Sequence, residues 1–211
     1  MVNLKRTTGK PAKPANPLAW ARFALAAHRL DQLPADQGRE VAVAGRSNAG
    51  KSSAINAITG QSGLARTSKT PGRTQQLVVF TLDDQRRLVD LPGYGYAQVA
   101  QTLREHWRQT LDRYFNQRRA LCGLLLAMDV RHPFTPFDQG MLAFAAARGL
   151  PCHVLMTKAD KLRHGALTDT VRRVTRELGS HHALATAQPF SAVTHDGVDR
   201  ARAVLGEWLD I

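Results

Sequence analysis

The sequence predicts an α/β fold: a mixed, mostly parallel six-stranded sheet with helices on both faces. Two observations predict it. Short apolar runs alternate with longer segments of helical period from residue 121 to the end. Earlier in the chain, the apolar stretch Val41–Ala44 runs into a glycine-rich loop and then a helix-forming stretch, Ser53–Ile58. The chain has 211 residues, of which 43% are hydrophobic, which suits one such domain with a short extension and a real core.

Taken in order, residues 1–30 contain no Asp or Glu. Met1–Ala15 reads as a flexible basic tail, and residues 16–211 as a single domain. A short helix is expected next, with Asn16 as N-cap and Pro17 as its first residue. A signal peptide fits poorly because Arg22 interrupts the apolar stretch Leu18–Ala27. Val41–Ala44 is the first strand and Ser53–Ile58 the following helix. Gln61–Gln75 lacks a hydrophobic period and is rich in turn formers and hydroxyls, so it reads as a mobile loop. Gln76–Leu82 and Arg86–Asp90 are strands joined at Asp83-Asp84, a connection short enough to require an antiparallel hairpin. Thr102–Arg119 is helical, and Leu121–Met128 is a strand covered on both faces. Phe137–Arg148, Leu167–Leu178 and Val198–Leu209 are helices, with strands at His153–Met156 and Leu184–Phe190 between them.

The glycine-rich loop carries the first chemistry. Gly45-Arg46-Ser47-Asn48-Ala49-Gly50-Lys51-Ser52 has the P-loop spacing G-x-x-x-x-G-K-S in the strand–loop–helix setting that the motif needs. Its glycines let backbone N–H groups surround phosphates at a helix N-terminus. Lys51 would reach the β- and γ-phosphates, and the Ser52 hydroxyl would hold Mg²⁺. Asp90-Leu91-Pro92-Gly93 ends a strand; Asp90 can bind Mg²⁺ through water, and the Gly93 N–H can sense a γ-phosphate. Thr157-Lys158-Ala159-Asp160 follows the His153–Met156 strand and suits base selection. Ionised Asp160 only accepts hydrogen bonds, and guanine offers it two donors where adenine does not. The Lys158 stem can lie over the ring, and the Thr157 hydroxyl can tie this loop to the P-loop. Phe190-Ser191-Ala192 follows the last strand, where its backbone could place an N–H near guanine O6. A second Mg²⁺ hydroxyl must come from the loop before the hairpin, where Thr67, Thr70 and Thr74 are equal on chemistry alone.

The runs GRSNAGKSS (Gly45–Ser53), SKTPGRTQ (Ser68–Gln75), DLPGYGYA (Asp90–Ala97) and TKAD (Thr157–Asp160) together resemble the bacterial ribosome-biogenesis GTPases called EngB (YihA/YsxC). The likeness spans nearly the whole chain apart from the tail. It implies a P-loop GTPase domain of the TRAFAC class that assists late assembly of the large ribosomal subunit, with septation affected indirectly. It also implies that Thr74 is the Mg²⁺ threonine beside Ser52, and that Gly72, Arg73, Thr74, Gln75 and Gln76 contact nucleotide.

Hydrolysis needs an oriented water and compensation of charge on the transferring phosphoryl group. Many GTPases place Gln after D-x-x-G, but this chain has Tyr94, so hydrolysis without help is expected to be slow. Lys51, Thr74 and Asn48 are the catalytic candidates. The Asn48 side-chain oxygen could coordinate K⁺ near the phosphates, as in related GTPases with Asn at this place. An activator in trans, or Arg66 or Arg73 in cis, are the other sources of charge compensation. The loops 61–75 and 93–97 would order around γ-phosphate and Mg²⁺, with Tyr94 and Tyr96 available to a base or a partner.

A net charge of +12 (29 Lys and Arg against 17 Asp and Glu) exceeds what a nucleotide site needs and points to a polyanionic partner. Lys5, Arg6, Lys10 and Lys13 in the tail, and Arg172, Arg173 and Arg176 on a late helix, could meet rRNA phosphates without sequence specificity. The expected partner is the large ribosomal subunit or its precursor, met by a cytoplasmic monomer with no DNA specificity and no membrane attachment. Cys122 and Cys152 begin strands and read as buried free thiols. The alternative is a basic RNA-binding protein whose nucleotide site is mainly structural. Intact Lys51, Ser52, Asp90 and Asp160 argue against it. Thr157–Asp160 argues against a metabolic kinase, and the ending Trp208-Leu209-Asp210-Ile211 against a lipidated trafficking GTPase.

Overall fold

A computed structural model describes residues 16–66, 76–93 and 101–211. In chain order its elements are β1 (Arg22–Ala27), β2 (Arg39–Gly45), α1 (Lys51–Thr59), β3 (Leu77–Thr81), β4 (Arg86–Asp90), α2 (Gln101–Gln117), β5 (Leu121–Asp129), α3 (Pro136–Ala147), β6 (Cys152–Thr157), α4 (His164–His181), β7 (Ala185–Pro189) and α5 (Val198–Leu209). The strands form one sheet in the order β1-β3-β4-β2-β5-β6-β7. The β1–β3 and β3–β4 pairs are antiparallel and the rest are parallel. The expected mixed sheet and hairpin are present, with one strand more than expected.

The extra strand is β1, which follows the short N-terminal helix and for which the sequence predicts no strand. Asn16 does cap a helical turn, with Oδ1 accepting from Leu18 N at 3.1 Å, but that turn is a 3-10 turn of four residues, Pro17–Trp20. Asn16 Nδ2 also donates to the Ile58 and Thr59 carbonyls at the end of α1, fixing where the chain enters. The next residues then lie along the open edge of β3, Arg22 opposite Thr81 and Ala27 opposite Leu77. An unpaired β3 edge beside a buried sheet would leave backbone groups without partners. That demand outweighs the helix preference of an alanine-rich segment.

Alternation along the central strands separates two cores. Ala42 and Ala44 of β2, with Leu124, Leu126 and Met128 of β5, face Tyr114 and Phe115 of α2, Met141 and Leu142 of α3, and Val174 and Leu178 of α4. Val41, Val43, Leu125 and Leu155 point the other way, to Ile55 and Ile58 of α1 and Val198, Leu205 and Leu209 of α5. Both sheet faces are thus covered, which is why these strands read as unbroken apolar runs. Gly123 lies under α5, where a Cβ would come within 2.3 Å of Trp208. The α3 start is a capping box: Thr135 N donates to Asp138 Oδ2 at 2.8 Å, with Pro136 as the first helical residue.

The loop after α1 is less free than its composition implies. Asn56 of α1 bonds both backbone groups of Ala65, at 2.8 and 2.9 Å, and Ala65 is buried. The tail Met1–Ala15 and the remainder of this loop lie outside the described residues. Among the described residues, no helix is long and apolar enough to cross a membrane. Cys122 and Cys152 are free thiols, the first half-buried and the second buried.

Candidate functional site

Four loops converge at the carboxyl ends of the parallel strands, the usual ligand edge of such a sheet. β2 ends at Gly45, where a Cβ would stand 2.8 Å from the Ala127 carbonyl of the neighbouring strand. The loop then turns through Asn48, at φ 62°, and Gly50, at φ 91°, which is the N-cap of α1. Gly50 leads straight into Lys51 and Ser52, so the first turn of α1 opens beside the loop. Asn48 has contacts within the fold.

β4 delivers Asp90 beside β2, in register with Val43, and Leu91 N extends the pairing to the Val43 carbonyl at 2.9 Å. Leu91 and Pro92 are buried, and Gly93 packs against the P-loop. A Cβ on Gly93 would lie 3.0 Å from the Gly45 carbonyl and 3.2 Å from Ser47 N, so any side chain here would press the two loops apart by a few tenths of an ångström. Lys51 Nζ donates to Asp90 Oδ1 in a buried ion pair. Burial pushes the Asp90 carboxyl above its ordinary value, and the Lys51 charge works against that rise.

β6 delivers the third loop. Thr157 Oγ1 donates to the Ala49 carbonyl and lies 3.2 Å from the Met128 carbonyl. This is the tie to the P-loop that the sequence leads one to expect of a hydroxyl here. Lys158 has a left-handed backbone, φ 61°, and its Nζ donates to the Asn48 carbonyl at 2.6 Å and to Asp129 Oδ2 at 2.9 Å. Ala159 N donates to the Phe190 carbonyl at 3.1 Å, joining this loop to the fourth. The buried Ser191 hydroxyl donates to Asp160 Oδ1 at 2.7 Å and accepts from Val193 N and Thr194 N. The Ser191 bond, with Lys161 adding its charge, holds the Asp160 carboxyl below the usual carboxylate range. Asp160 therefore presents an acceptor at neutral pH. Phe190 is buried and Ala192 half-buried beside it.

The structure thus brings together Gly45 to Ser52, Asp90 to Gly93, Thr157 to Asp160 and Phe190 to Ala192. Gln76 stands at the start of β3, its amide 2.8 Å from His28 Nε2. Gly72, Arg73, Thr74 and Gln75, the rival Thr67 and Thr70, and Tyr94 and Tyr96 lie outside the described residues. Arg66 is exposed. Sequence reading missed Asp129 and Arg131. Their signal was an aspartate closing the apolar run 121–128, at the same sheet edge as the other loops.

The site suits a phosphate ester with a hard cation. Gly45 and Gly93 let strand and loop backbones pack closely, Gly50 supplies the positive φ at the start of α1, and the described oxygen donors are the Ser52 hydroxyl and the Asp90 carboxylate. Among the described residues, no group of three or more His, Cys, Asp or Glu converges. Mg²⁺ matches such a donor set, since it keeps waters and phosphate oxygens alongside one or two protein ligands.

A family model described as "50S ribosome-binding GTPase" matches residues 40–158, which run from β2 to Lys158, just beyond the end of β6. A "Probable GTP-binding protein EngB" from Xanthomonas euvesicatoria pv. vesicatoria is 55% identical over 192 residues, covering 90% of this chain and 93% of that protein. A protein of the same description from Nitrosococcus oceani is 54% identical over 191 residues, covering 90% and 96%. Among solved structures, a crystal structure of a "probable GTP-binding protein engB" superposes with a TM-score of 0.65 at 21% identity, covering 81% of this chain and 98% of that one, a likeness of fold.

Proposed function

The chain belongs to the EngB family of GTP-binding proteins, and on that footing we propose that it is a nucleotide-switched GTPase acting in assembly of the large ribosomal subunit. One observation carries the nucleotide part. The loop bearing Asp160 is bonded to the P-loop through Thr157 and Lys158, so the base-selecting and phosphate-binding parts of a guanine-nucleotide site are built as one unit. Asp160 accepts from the guanine edge, and Ser191 holds it ionised and oriented. The P-loop amides and the α1 N-terminus receive the phosphates. Lys51, paired with Asp90 in this structure, would turn to the phosphates when nucleotide binds, leaving the Asp90 carboxylate to help hold Mg²⁺. Ser52 and Thr74 are the proposed hydroxyl ligands of Mg²⁺, which would supply neutralising charge to the phosphates. Gly72 to Gln76 are proposed to contact nucleotide, and the loops 61–75 and 93–97 are the proposed switches.

Hydrolysis is proposed to be slow in isolation, since Tyr94 has no amide to orient water. Asn48 is the proposed K⁺ ligand, and the cation would act on the transferring phosphoryl group as an arginine finger does. Turnover in K⁺ and in Na⁺ at equal ionic strength decides this, and equal rates would retire the K⁺ proposal. The ribosomal particle, or rRNA within it, is the proposed partner and activator in the cytoplasm, with septation affected only through ribosome supply. The +12 charge supports a polyanionic partner.

The direct test of the nucleotide site is calorimetric titration with GTP and ATP in Mg²⁺. Binding of GTP with no detectable binding of ATP is expected. Lys51→Ala should weaken GTP by about 100-fold or more, the scale of a lost charge-assisted phosphate contact. Equal affinity for the two nucleotides would refute the reading of Asp160.

A further inference from the structure

Asp129 closes β5 directly opposite Thr157 of β6, and its side chain is fully buried. Burial works against its charge, but hydrogen bonds from Arg131 and then Lys158 outweigh it and hold the carboxyl well below the usual carboxylate range. Arg131 grips it on both oxygens: Nε meets Oδ1 at 3.0 Å and Nη2 meets Oδ2 at 2.8 Å, with Arg131 N adding a third bond to Oδ1. Oδ2 also receives the Lys158 ammonium. Arg131 lies within electrostatic reach of Asp160 as well.

Lys158 is unusual in two respects. Its backbone is left-handed, a conformation that costs a non-glycine residue energy. Its long side chain, which in solution samples many rotamers, is held at its tip between a P-loop carbonyl and a buried carboxylate. Fixing such a chain costs rotamer freedom. When the lysine is already held, that cost does not fall on nucleotide binding.

We propose that Asp129 is a positioning residue for guanine-nucleotide retention: it fixes the Lys158 ammonium beside the P-loop so that the lysine stem is set to cover the guanine face. Arg131 keeps the carboxylate turned for this task. Asp129 itself acts only through Lys158. The inference rests on reading Thr157–Asp160 as the base-selecting loop.

The test is a double-mutant cycle on release of methylanthraniloyl-GDP from the full chain, with methylanthraniloyl-ADP as the control probe. Asp129→Asn keeps the shape and an oxygen for Arg131, and should speed GDP release about tenfold, as expected for loss of a charge-assisted bond. Lys158→Ala should speed release at least as much. In the Lys158→Ala background, Asp129→Asn should add nothing, because its route of action is gone. Should Asp129→Asn not fold, judged by its melting midpoint without nucleotide, Arg131→Ala carries the cycle. That side chain is 42% exposed, and its loss should speed release about threefold, again only when Lys158 is present. Wild-type release rates from the folding variants, or effects that multiply with Lys158→Ala, would overturn the proposal while leaving the guanine site intact. Failure of the wild-type protein to prefer the GDP probe over the ADP probe would overturn the site reading itself, and this inference with it.

Discussion

Thr157, in the loop proposed to select the base, ties that loop to the P-loop by donating its hydroxyl to the Ala49 carbonyl. Thr157→Val keeps the shape and removes that bond. It should lower stability by about 1 kcal/mol, read as a shift in the urea midpoint, and it should speed nucleotide release. His153 gives a second test at this scale. It is buried in β6, with Nε2 2.9 Å from Gln188 Oε1 and Nδ1 2.7 Å from Thr186 Oγ1. A neutral ring satisfies both contacts, donating from Nε2 and accepting at Nδ1. Burial, against the Gln188 bond, pushes its pKa below the ordinary histidine value. The unfolded chain therefore takes up a proton at a pH where the folded chain does not, and stability falls as pH drops through the ordinary histidine range. The fall ends only below the depressed folded value. Urea midpoints measured from pH 7.5 to 5.5 should decline in the wild type, and His153→Gln should remove that histidine's share of the slope. An unchanged slope would contradict the assignment of a neutral ring. These residues also mark what a sequence makes legible. Lys51, Asp90 and Asp160 announce themselves because each sits in a contiguous motif whose spacing is dictated by the ligand. Asp129 does not, because its partner Lys158 is distant in sequence and the two meet only through β5–β6 pairing.

At the scale of elements, the six strands and five helices with periodic or unbroken apolar runs were legible, since burial on one or two faces writes itself into the residues. β1 was not. Its residues are mostly exposed and alanine-rich, and their strand conformation comes from the open edge of β3, a partner outside the segment. The packing of α5 was hidden for the same reason. Gly123 reads as one more small residue in an apolar strand, yet it makes room for Trp208. Gly123→Ala should therefore destabilise the protein by about 1–3 kcal/mol through overpacking, measured as a lower melting midpoint. An unchanged midpoint would mean that α5 can shift outward at little cost. Composition alone makes the loop after α1 look mobile. Asn56 fastens its start at Ala65, so any switching motion on this side begins beyond that anchor.

For the whole molecule, the nucleotide site accounts for little of the net charge of +12. Arg172, Arg173 and Arg176 lie exposed on α4, and the tail adds Lys5, Arg6, Lys10 and Lys13. Contacts of this kind bind phosphates without reading sequence, so they make affinity depend steeply on salt. They do not by themselves make it depend on nucleotide. Nucleotide dependence is proposed to come from the loops that respond to the γ-phosphate. The most direct measurement is co-sedimentation with large ribosomal subunits, in a non-hydrolysable GTP analogue and in GDP, between about 50 and 200 mM salt. Pelleting that is tight with the analogue, weak with GDP and weakened by salt is the predicted result. Pelleting that ignores the nucleotide at every salt concentration would contradict the account and reduce the charge to general affinity for RNA.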